Sequence, residues 1–339
     1  MMRMPWFRWH APKSVAEAAT ILADEGPQAM LIAGGTDLVP NMKRRHQEPA
    51  ALVALRGLGE LKRIANGAGL TLGAGLTLAE VVESRSVREN YRALYHAAAQ
   101  VATPQLRNMG TLGGNVCLDT RCTYYNQSYE WRKAIDFCMK KDGETCWVAT
   151  ASKRCVAVSS TDTAPALIAL GAKVRLVSAE GTRELDLADL YANDGMEYLT
   201  RRPDEILTEI ALPAASGWKS AYWKLRRRGS FDFPVLGVAA AVRAAPDGTV
   251  EDARIVLGAV ASRPILTKAG ELLAGKRLTD EVIEEVAAKV ASRAKPMDNT
   301  DLEIYWRKEV VPAFVGYALR EARGDDMRAT RMRIARQAL

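Results

Sequence analysis

Long apolar segments are missing from this sequence of 339 residues. A membrane-spanning helix needs about 18 or more consecutive apolar residues, and the best apolar run, at 236–242, is far shorter. The first ten residues also lack the apolar core of a secretory signal peptide. The sequence therefore predicts a cytoplasmic protein without a membrane segment.

Histidine is equally scarce, with three residues in the whole chain, and no repeat of fixed period is visible, which excludes a solenoid. His10, His46 and His96 are isolated from one another. No group of residues forms a credible acid–base site for a substrate. We therefore expect no catalytic residue in this chain.

Acidic residues are slightly outnumbered, since 47 Lys and Arg face 40 Asp and Glu, for a formal net charge of +7. Such a charge permits nucleic-acid binding, but the basic clusters at 226–228 and 323–336 are short. No helix-turn-helix, zinc-finger or RNP pattern accompanies them. We interpret the basic residues as solvated or subunit-contact surface and expect no nucleic-acid partner.

Cysteine is absent outside one short segment, which holds all five: Cys117, Cys122, Cys138, Cys146 and Cys155. Five are too few, and odd in number, for the disulfide framework of a secreted protein, so the clustering predicts a metal centre. Structural zinc sites usually use close cysteine pairs, whereas iron–sulfur clusters accept longer and varied intervals. The spacing favours iron–sulfur over zinc, with buried free thiols as a third alternative.

The cysteine segment is also rich in aromatic residues, which make up only 6% of the chain. Six rings lie between Cys122 and Cys155: Tyr124, Tyr125, Tyr129, Trp131, Phe137 and Trp147. Rings that exclude water would lower the reduction potential of a cluster unless N–H donors to sulfur compensate. The composition indicates an insert at about 116–158 in an otherwise regular pattern.

Two glycine-rich loops, AGGTDL at 33–38 and GTLGGN at 110–115, lie in the first half of the chain. Neither matches the dinucleotide fingerprint or the phosphate-loop motif, and each alone is typical of a tight turn. Together, with their threonine and asparagine donors, they favour a ligand that contains a pyrophosphate. A flavin and a nicotinamide dinucleotide both remain open on this basis.

After a boundary near 212–217 the pattern changes. Three strand-like runs and two helical patterns follow, at 221–227, 235–243, 253–260, 280–293 and 301–322. A capping box of Thr300 and Glu303 is expected to start the last helix, and Pro312 to kink it. This region predicts an α+β domain with a three-stranded antiparallel sheet and helices.

Five motifs occur in a characteristic order: AGGTDL at 33–38, TPQLRNMGTLGGN at 103–115, STDTAP at 160–165, PDEIL at 203–207 and WKLRRR at 223–228. In these motifs the chain resembles the FAD-binding subunits of the xanthine oxidase family of molybdenum hydroxylases. The resemblance implies an α+β fold, with a two-lobed FAD-binding domain of the PCMH/VAO type followed by the C-terminal domain. We expect the lobes at 1–55 and 56–215, the C-terminal domain at 216–325 and a basic tail at 326–339.

The resemblance also implies which residues hold FAD. One set would wrap the pyrophosphate and reach the flavin edge: Leu31, Ile32, Ala33, Gly34, Gly35, Thr36, Asp37 and Leu38. A second set would hold the other side of the diphosphate and the ribityl chain: Thr111, Gly114 and Asn115. Asp162 would accept hydrogen bonds from ribityl or ribose hydroxyls. Val101 would lie near the cofactor, and Ile206 and Lys224 would approach the isoalloxazine ring.

The cysteine insert resembles that of the beta subunits of 4-hydroxybenzoyl-CoA reductases, which carry an additional [4Fe-4S] cluster. This resemblance implies the cluster ligands Cys122, Cys138, Cys146 and Cys155, with Cys117 left over.

The implied function is that of an electron-transfer subunit. Electrons would pass from ferredoxin through the [4Fe-4S] cluster and FAD toward a [2Fe-2S] small subunit and a molybdenum-cofactor large subunit, in a dimer of heterotrimers. The large subunit would convert 4-hydroxybenzoyl-CoA to benzoyl-CoA and water. Two alternatives stay open: an FAD subunit of another molybdenum hydroxylase working in the oxidative direction, and a zinc-stapled basic binding module without redox chemistry.

Overall fold

Three sheets organise the protein in the computed structural model, which describes residues 3–336. The strands are β1 (Arg8–His10), β2 (Ala29–Ile32), β3 (Ala51–Ala54), β4 (Ile64–Asn66), β5 (Leu70–Gly73), β6 (Lys173–Ser178), β7 (Gly181–Asp186), β8 (Ile206–Leu212), β9 (Trp218–Leu225), β10 (Leu236–Ala244), β11 (Val250–Gly258) and β12 (Ile265–Leu266). Positions 1–2 of the predicted first lobe and 337–339 of the predicted basic tail lie outside the described residues.

The helices lie mainly between and after these strands. They are α1 (Val15–Glu25), α2 (Leu38–Lys43), α3 (Leu78–Glu83), α4 (Arg85–Asn90), α5 (Arg92–Ala99), α6 (Pro104–Arg107), α7 (Leu112–Val116), α8 (Tyr129–Ala134), α9 (Thr163–Ala169), α10 (Ala269–Leu273), α11 (Asp280–Ala291), α12 (Ile304–Glu309), α13 (Val311–Arg323) and α14 (Arg328–Ala335). Within residues 3–336, none of them is both long and apolar enough to cross a membrane.

The first lobe is a small parallel sheet in the order β1-β3-β2, covered by α1. Ser14 begins α1 because its Oγ accepts a hydrogen bond from the backbone N–H of Glu17 (3.1 Å). The buried residues of α1, including Val15 and Leu22, then pack on Val53 of the sheet. The first glycine-rich loop leaves this sheet directly after β2.

The second lobe is a five-stranded antiparallel sheet in the order β4-β5-β8-β6-β7. Its buried residues share one core with α5 and α9, whose small and aliphatic residues, such as Ala97 and Leu167, are fully buried. The second glycine-rich loop runs into α7, and the chain then leaves the lobe for the cysteine insert. The two halves of the predicted flavin site therefore come from different sheets.

The C-terminal domain confirms the predicted antiparallel sheet with helices, and adds the two-residue strand β12 at one edge, in the order β12-β11-β10-β9. One face of this sheet packs on α11 and α13, and the other contributes Tyr222 and Ala239 to the core of the second lobe. Burial on both faces explains why β10 is almost entirely apolar.

The prediction for the last long helix was wrong at two points. It begins at Ile304, with Glu303 as its N-cap residue, so the predicted capping box of Thr300 and Glu303 does not form. It also divides into α12 and α13 rather than bending, because Pro312 has no N–H to donate to the preceding turn and instead occupies the first turn of a new helix.

The cysteine insert is closed at its base by a pair of backbone hydrogen bonds between Arg121 and Val158 (2.8 and 2.7 Å). It rests on the first lobe, where Arg132 donates to the carbonyl of Arg44 (3.2 Å). It also rests on the C-terminal domain, where Asn299 donates to the carbonyl of Val156 (2.6 Å). The insert therefore contacts the domains on both sides of it.

Candidate functional site

The two glycine-rich loops lie side by side. A Cβ atom built on Gly34 would be 1.9 Å from the carbonyl oxygen of Met109, and one on Gly110 would be 3.3 Å from Thr36 Oγ1. A side chain at Gly34 would therefore force the loops apart. The fold thus brings together the residues that the sequence assigned to one ligand, although they are far apart in the chain.

The first loop offers open hydrogen-bond donors. Within residues 3–336, the backbone N–H groups of Gly34, Gly35 and Thr36 donate to no protein acceptor. Gly35 has a φ of +69°, a conformation that favours glycine. Leu31 and Ile32 end β2, Ala33 follows, and Asp37 and Leu38 begin α2. Half-buried N–H groups without partners fit the anionic pyrophosphate of a dinucleotide.

The second loop is bonded to the protein instead. Thr111 Oγ1 accepts from the backbone N–H of Gly114 (3.1 Å). Asn115 Oδ1 accepts from the hydroxyl of Thr161 (3.0 Å) and from both the N–H (3.1 Å) and hydroxyl (2.7 Å) of Thr163. These bonds fix the loop to the start of α9. They use the carbonyl oxygen of Asn115 and leave the two N–H donors of its amide group for a ligand.

Asp162 and Lys224 form a buried ion pair, with 2.8 Å between Oδ2 and Nζ and side chains that are 3% and 0% exposed. The second carboxylate oxygen accepts from the hydroxyl of Tyr222 (2.8 Å), and Lys224 also donates to the carbonyl of Gln100 (3.1 Å), beside Val101. Burial raises the pKa of Asp162, and the ammonium group of Lys224 opposes that rise. The cluster joins the FAD-binding region to the C-terminal sheet.

This arrangement changes the interpretation of two predicted residues. Both oxygens of Asp162 already have protein donors, so its first role is to hold Lys224 and Tyr222. Ile206 is fully buried in the core of the first lobe, with Val53 and Leu58, and presents no surface to a ligand. Tyr222 was missed by the sequence reasoning, although it lies two residues before Lys224 on β9 and hence on the same face.

In the insert, four cysteines line one cavity, and Cys117 lies outside it against the core of the second lobe. The four are Cys122, Cys138, Cys146 and Cys155, and the cavity is partly open to solvent. Burial raises the pKa of Cys122 to about 12 and that of Cys155 to about 11, so both are neutral thiols without a bound cation. The backbone N–H of Ala157 points at Cys155 Sγ (3.4 Å).

Among the described residues, the thiols are not arranged as a metal site. Within residues 3–336, no group of three or more His, Cys, Asp or Glu side chains is arranged so that it could hold a metal ion. The donor set nevertheless has the chemistry of a metal–thiolate site: four sulfurs around one space, apolar walls and an N–H donor to sulfur.

Arg121 connects the two parts of the site. Its guanidinium group bonds the carboxylate of Asp37 in the first loop and Asn41 Oδ1 (3.1 Å), and it lies 4.9 Å from the ring centre of Phe233. The next residue in the chain is Cys122. No motif marks this arginine in the sequence, because its partners lie 80 or more positions away.

The three histidines occupy separate places. His10 bonds Glu25 at the surface of the first lobe (2.8 Å), and His46 lies against the ring of Tyr125, with 4.4 Å between ring centres. Burial lowers the pKa of His46 to about 4 and that of His96 to about 3, so both are neutral at neutral pH.

Comparison with known proteins identifies the family. Residues 5–215 match the FAD-binding domain in molybdopterin dehydrogenase, and residues 220–322 match the CO dehydrogenase flavoprotein C-terminal domain. The chain therefore belongs to the FAD-binding medium subunits of the xanthine oxidase family of molybdenum hydroxylases. It is an electron-transfer oxidoreductase subunit that binds FAD.

Particular relatives are similar over most of their length. The chain is 34% identical over 271 residues to the aldehyde oxidoreductase FAD-binding subunit of Escherichia coli, covering 77% of this chain and 83% of the relative. It is 29% identical to the nicotinate dehydrogenase FAD-subunit of Eubacterium barkeri, covering 90% and 92%. A chain of the carbon monoxide dehydrogenase of Hydrogenophaga pseudoflava has a TM-score of 0.77 at 28% identity, covering 95% and 98%. The structural similarity confirms the predicted fold.

Proposed function

We propose that this chain is the FAD and [4Fe-4S] subunit of a 4-hydroxybenzoyl-CoA reductase. The observation that carries the proposal is the cavity lined by Cys122, Cys138, Cys146 and Cys155. It lies in an insert between the second glycine-rich loop and Asp162, so it interrupts the chain inside the FAD-binding region. A second redox group at this position would provide an additional site at which electrons enter the subunit.

The spacing of the cysteines supports a cluster over zinc. Structural zinc sites usually use close cysteine pairs, whereas the four thiols come from widely spaced positions, which iron–sulfur clusters accept. A [4Fe-4S] cluster takes four thiolate ligands, which is the number of cysteines that line the cavity.

The residues of the first loop would hold FAD through the open N–H groups of Gly34, Gly35 and Thr36, with the amide group of Asn115 as a donor from the second loop. Bound FAD supplies both one- and two-electron transfer, which an iron–sulfur cluster alone does not. Asp162 keeps Lys224 in its buried position. We therefore assign Lys224 a positioning role near the isoalloxazine ring of FAD.

The proposed direction of electron flow is inward, from ferredoxin toward the molybdenum-cofactor large subunit by way of a [2Fe-2S] small subunit, in a dimer of heterotrimers. The reaction on the large subunit consumes 4-hydroxybenzoyl-CoA, two electrons and two protons, and yields benzoyl-CoA and water. The cavity is partly open to solvent, and Trp147 in its wall is exposed, which supports electron entry from a partner at this surface. The net charge of +7 suits an acidic donor.

The test is a turnover assay with the purified complex under anaerobic conditions. Chemically reduced ferredoxin and 4-hydroxybenzoyl-CoA are supplied, and benzoyl-CoA is quantified. The proposal expects benzoyl-CoA to form in an amount equal to half of the electrons consumed. A complex that holds the cluster but leaves the substrate unchanged would overturn the assignment of the reaction.

A second candidate is an FAD subunit of an oxidative molybdenum hydroxylase, because the relatives are an aldehyde oxidoreductase, a nicotinate dehydrogenase and a carbon monoxide dehydrogenase. The midpoint potentials separate the two candidates. Inward flow is favourable only if the cluster potential lies at or below that of FAD. A cluster potential well above that of FAD would support the oxidative candidate.

A further inference from the structure

A single buried lysine lies in the wall of the cysteine cavity. Among the described residues that line it, only Lys140 carries a charge. The lysine side chain is 6% exposed, although lysine is almost never fully buried unless it is paired. Its place beside four thiols therefore requires an explanation.

The ammonium group is held rigidly. Nζ of Lys140 donates to Asp119 Oδ1 (2.8 Å), Thr120 Oγ1 (2.8 Å) and the carbonyl of Gly195 (2.6 Å). These contacts use all three N–H donors of the ammonium group. It also lies 4.8 Å from the centre of the Tyr125 ring, in the range of a cation–π interaction. The arrangement stabilises a cation at one position.

Only one member of the ion pair lines the cavity. Lys140 is part of the wall and its partner Asp119 is not, and the positive charge of Lys140 opposes the rise that burial causes in the pKa of Cys155. Gly195, which anchors Lys140, is itself in contact with a cysteine: a Cβ atom there would lie 2.6 Å from Cys155 Sγ. The anchoring site of the lysine and the position of this thiol are thus linked through one residue.

We propose that Lys140 raises the reduction potential of a [4Fe-4S] cluster held in this cavity. The inference rests on the proposed function. Reduction adds one electron, donated by ferredoxin, to a group that already carries four thiolates. A fixed cation in a wall of low dielectric stabilises this added negative charge more than it stabilises the oxidised cluster. It therefore offsets the lowering of the potential by the surrounding aromatic rings.

The test uses the anaerobically purified full chain with its cluster, titrated under EPR detection. Lys140→Met removes the charge and keeps the length of the side chain, and Lys141→Met is the matched control, since Lys141 is partly exposed and pairs with Asp142. Lys140→Arg keeps the charge. Asp119→Asn removes the negative partner of the lysine.

In Lys140→Met, the ratio of reduced to oxidised cluster at a fixed potential should fall about tenfold, a shift of about 59 mV for one electron. Lys141→Met and Lys140→Arg should stay close to the wild type, and Asp119→Asn should shift in the opposite direction. If Lys140→Met loses its iron, the shift of the reduction potential in Asp119→Asn tests the inference instead. A shift to lower potential, or no shift, in Asp119→Asn overturns the inference. A wild-type chain without iron would instead refute the cluster itself, and this inference with it.

Discussion

The flavin loops and the cysteine insert are built in opposite ways. The loops are positioned by contacts within the protein, such as the close approach of Gly34 to Met109 and the three bonds accepted by Asn115. The insert contains the single helix α8, and the buried cluster at its centre consists of Cys122, Tyr125, Cys138, Cys155 and Ala157 around a cavity. The flavin loops are thus fixed by protein contacts, whereas the proposed cluster would supply the contacts at the centre of the insert.

The largest expected difference between the flavin loops and the cysteine insert comes from removing one thiol. Cys138→Ser should eliminate nearly all iron and sulfide from the chain while FAD remains bound, because the two groups are held by separate residues. Metal analysis and the flavin absorption spectrum check both parts. The control is Cys117→Ser, which lies outside the cavity and should keep its iron. Equal loss of iron in both variants would contradict the choice of the four ligands.

The ion pair of Asp162 and Lys224 allows a test of whether protein contacts stabilise the flavin loops. Asp162→Asn leaves Lys224 buried without its counter-ion, and removing one partner of a buried pair costs about 3–5 kcal/mol. The free energy of unfolding in urea measures the loss. The double variant Asp162→Asn with Lys224→Met should recover much of it, since no unpaired charge remains. A single variant as stable as the wild type would show that the pair does not support the site.

The contact between the loops can be tested at Gly34. Gly34→Ala places a methyl group against the carbonyl of Met109, and overpacking of this kind costs about 1–3 kcal/mol. We expect the dissociation constant of FAD to rise about tenfold, which corresponds to about 1.4 kcal/mol, with the iron content unchanged. The control is Gly57→Ala, where a Cβ atom meets nothing within 4 Å. FAD affinity that is unaltered by Gly34→Ala would argue against the proposed pyrophosphate site.

The smallest expected effect concerns the connection between the two regions. Arg121→Met removes the partner of Asp37, but the Asp37 side chain is 32% exposed and water replaces part of the lost interaction. We expect FAD affinity to fall about fivefold, or about 1 kcal/mol, with a partial loss of iron. Arg45→Met, which breaks the exposed pair with Glu48, is the matched control. An effect on only one of the two groups would show that Arg121 does not couple them.

The sequence predicted regular structure well where local pattern and core packing agree. The strands of the C-terminal domain follow their apolar runs closely, since β10 is buried on both faces. The start of α12 was mispredicted because Thr300 and Glu303 have the spacing of a capping box, yet Glu303 itself caps the helix. Local spacing cannot distinguish these two uses of the same glutamate.

The candidate site was predictable only in part. The motifs identified both glycine-rich loops and the pairing partners Asp162 and Lys224, but not that these two residues bond each other. Tyr222 and Arg121 were missed because their partners are 60 and 84 positions away. Side chains that act through tertiary contacts have no local signature, and the buried position of Lys140 is visible only in the folded chain.

The most direct test of the central proposal is the iron, sulfide and FAD content of the anaerobically purified full chain. We predict one FAD per chain, with iron and acid-labile sulfide in the equal amounts that a [4Fe-4S] cluster contains, and an EPR signal on reduction. A chain that binds FAD but carries zinc, or no metal, in the cysteine cavity would contradict the proposal.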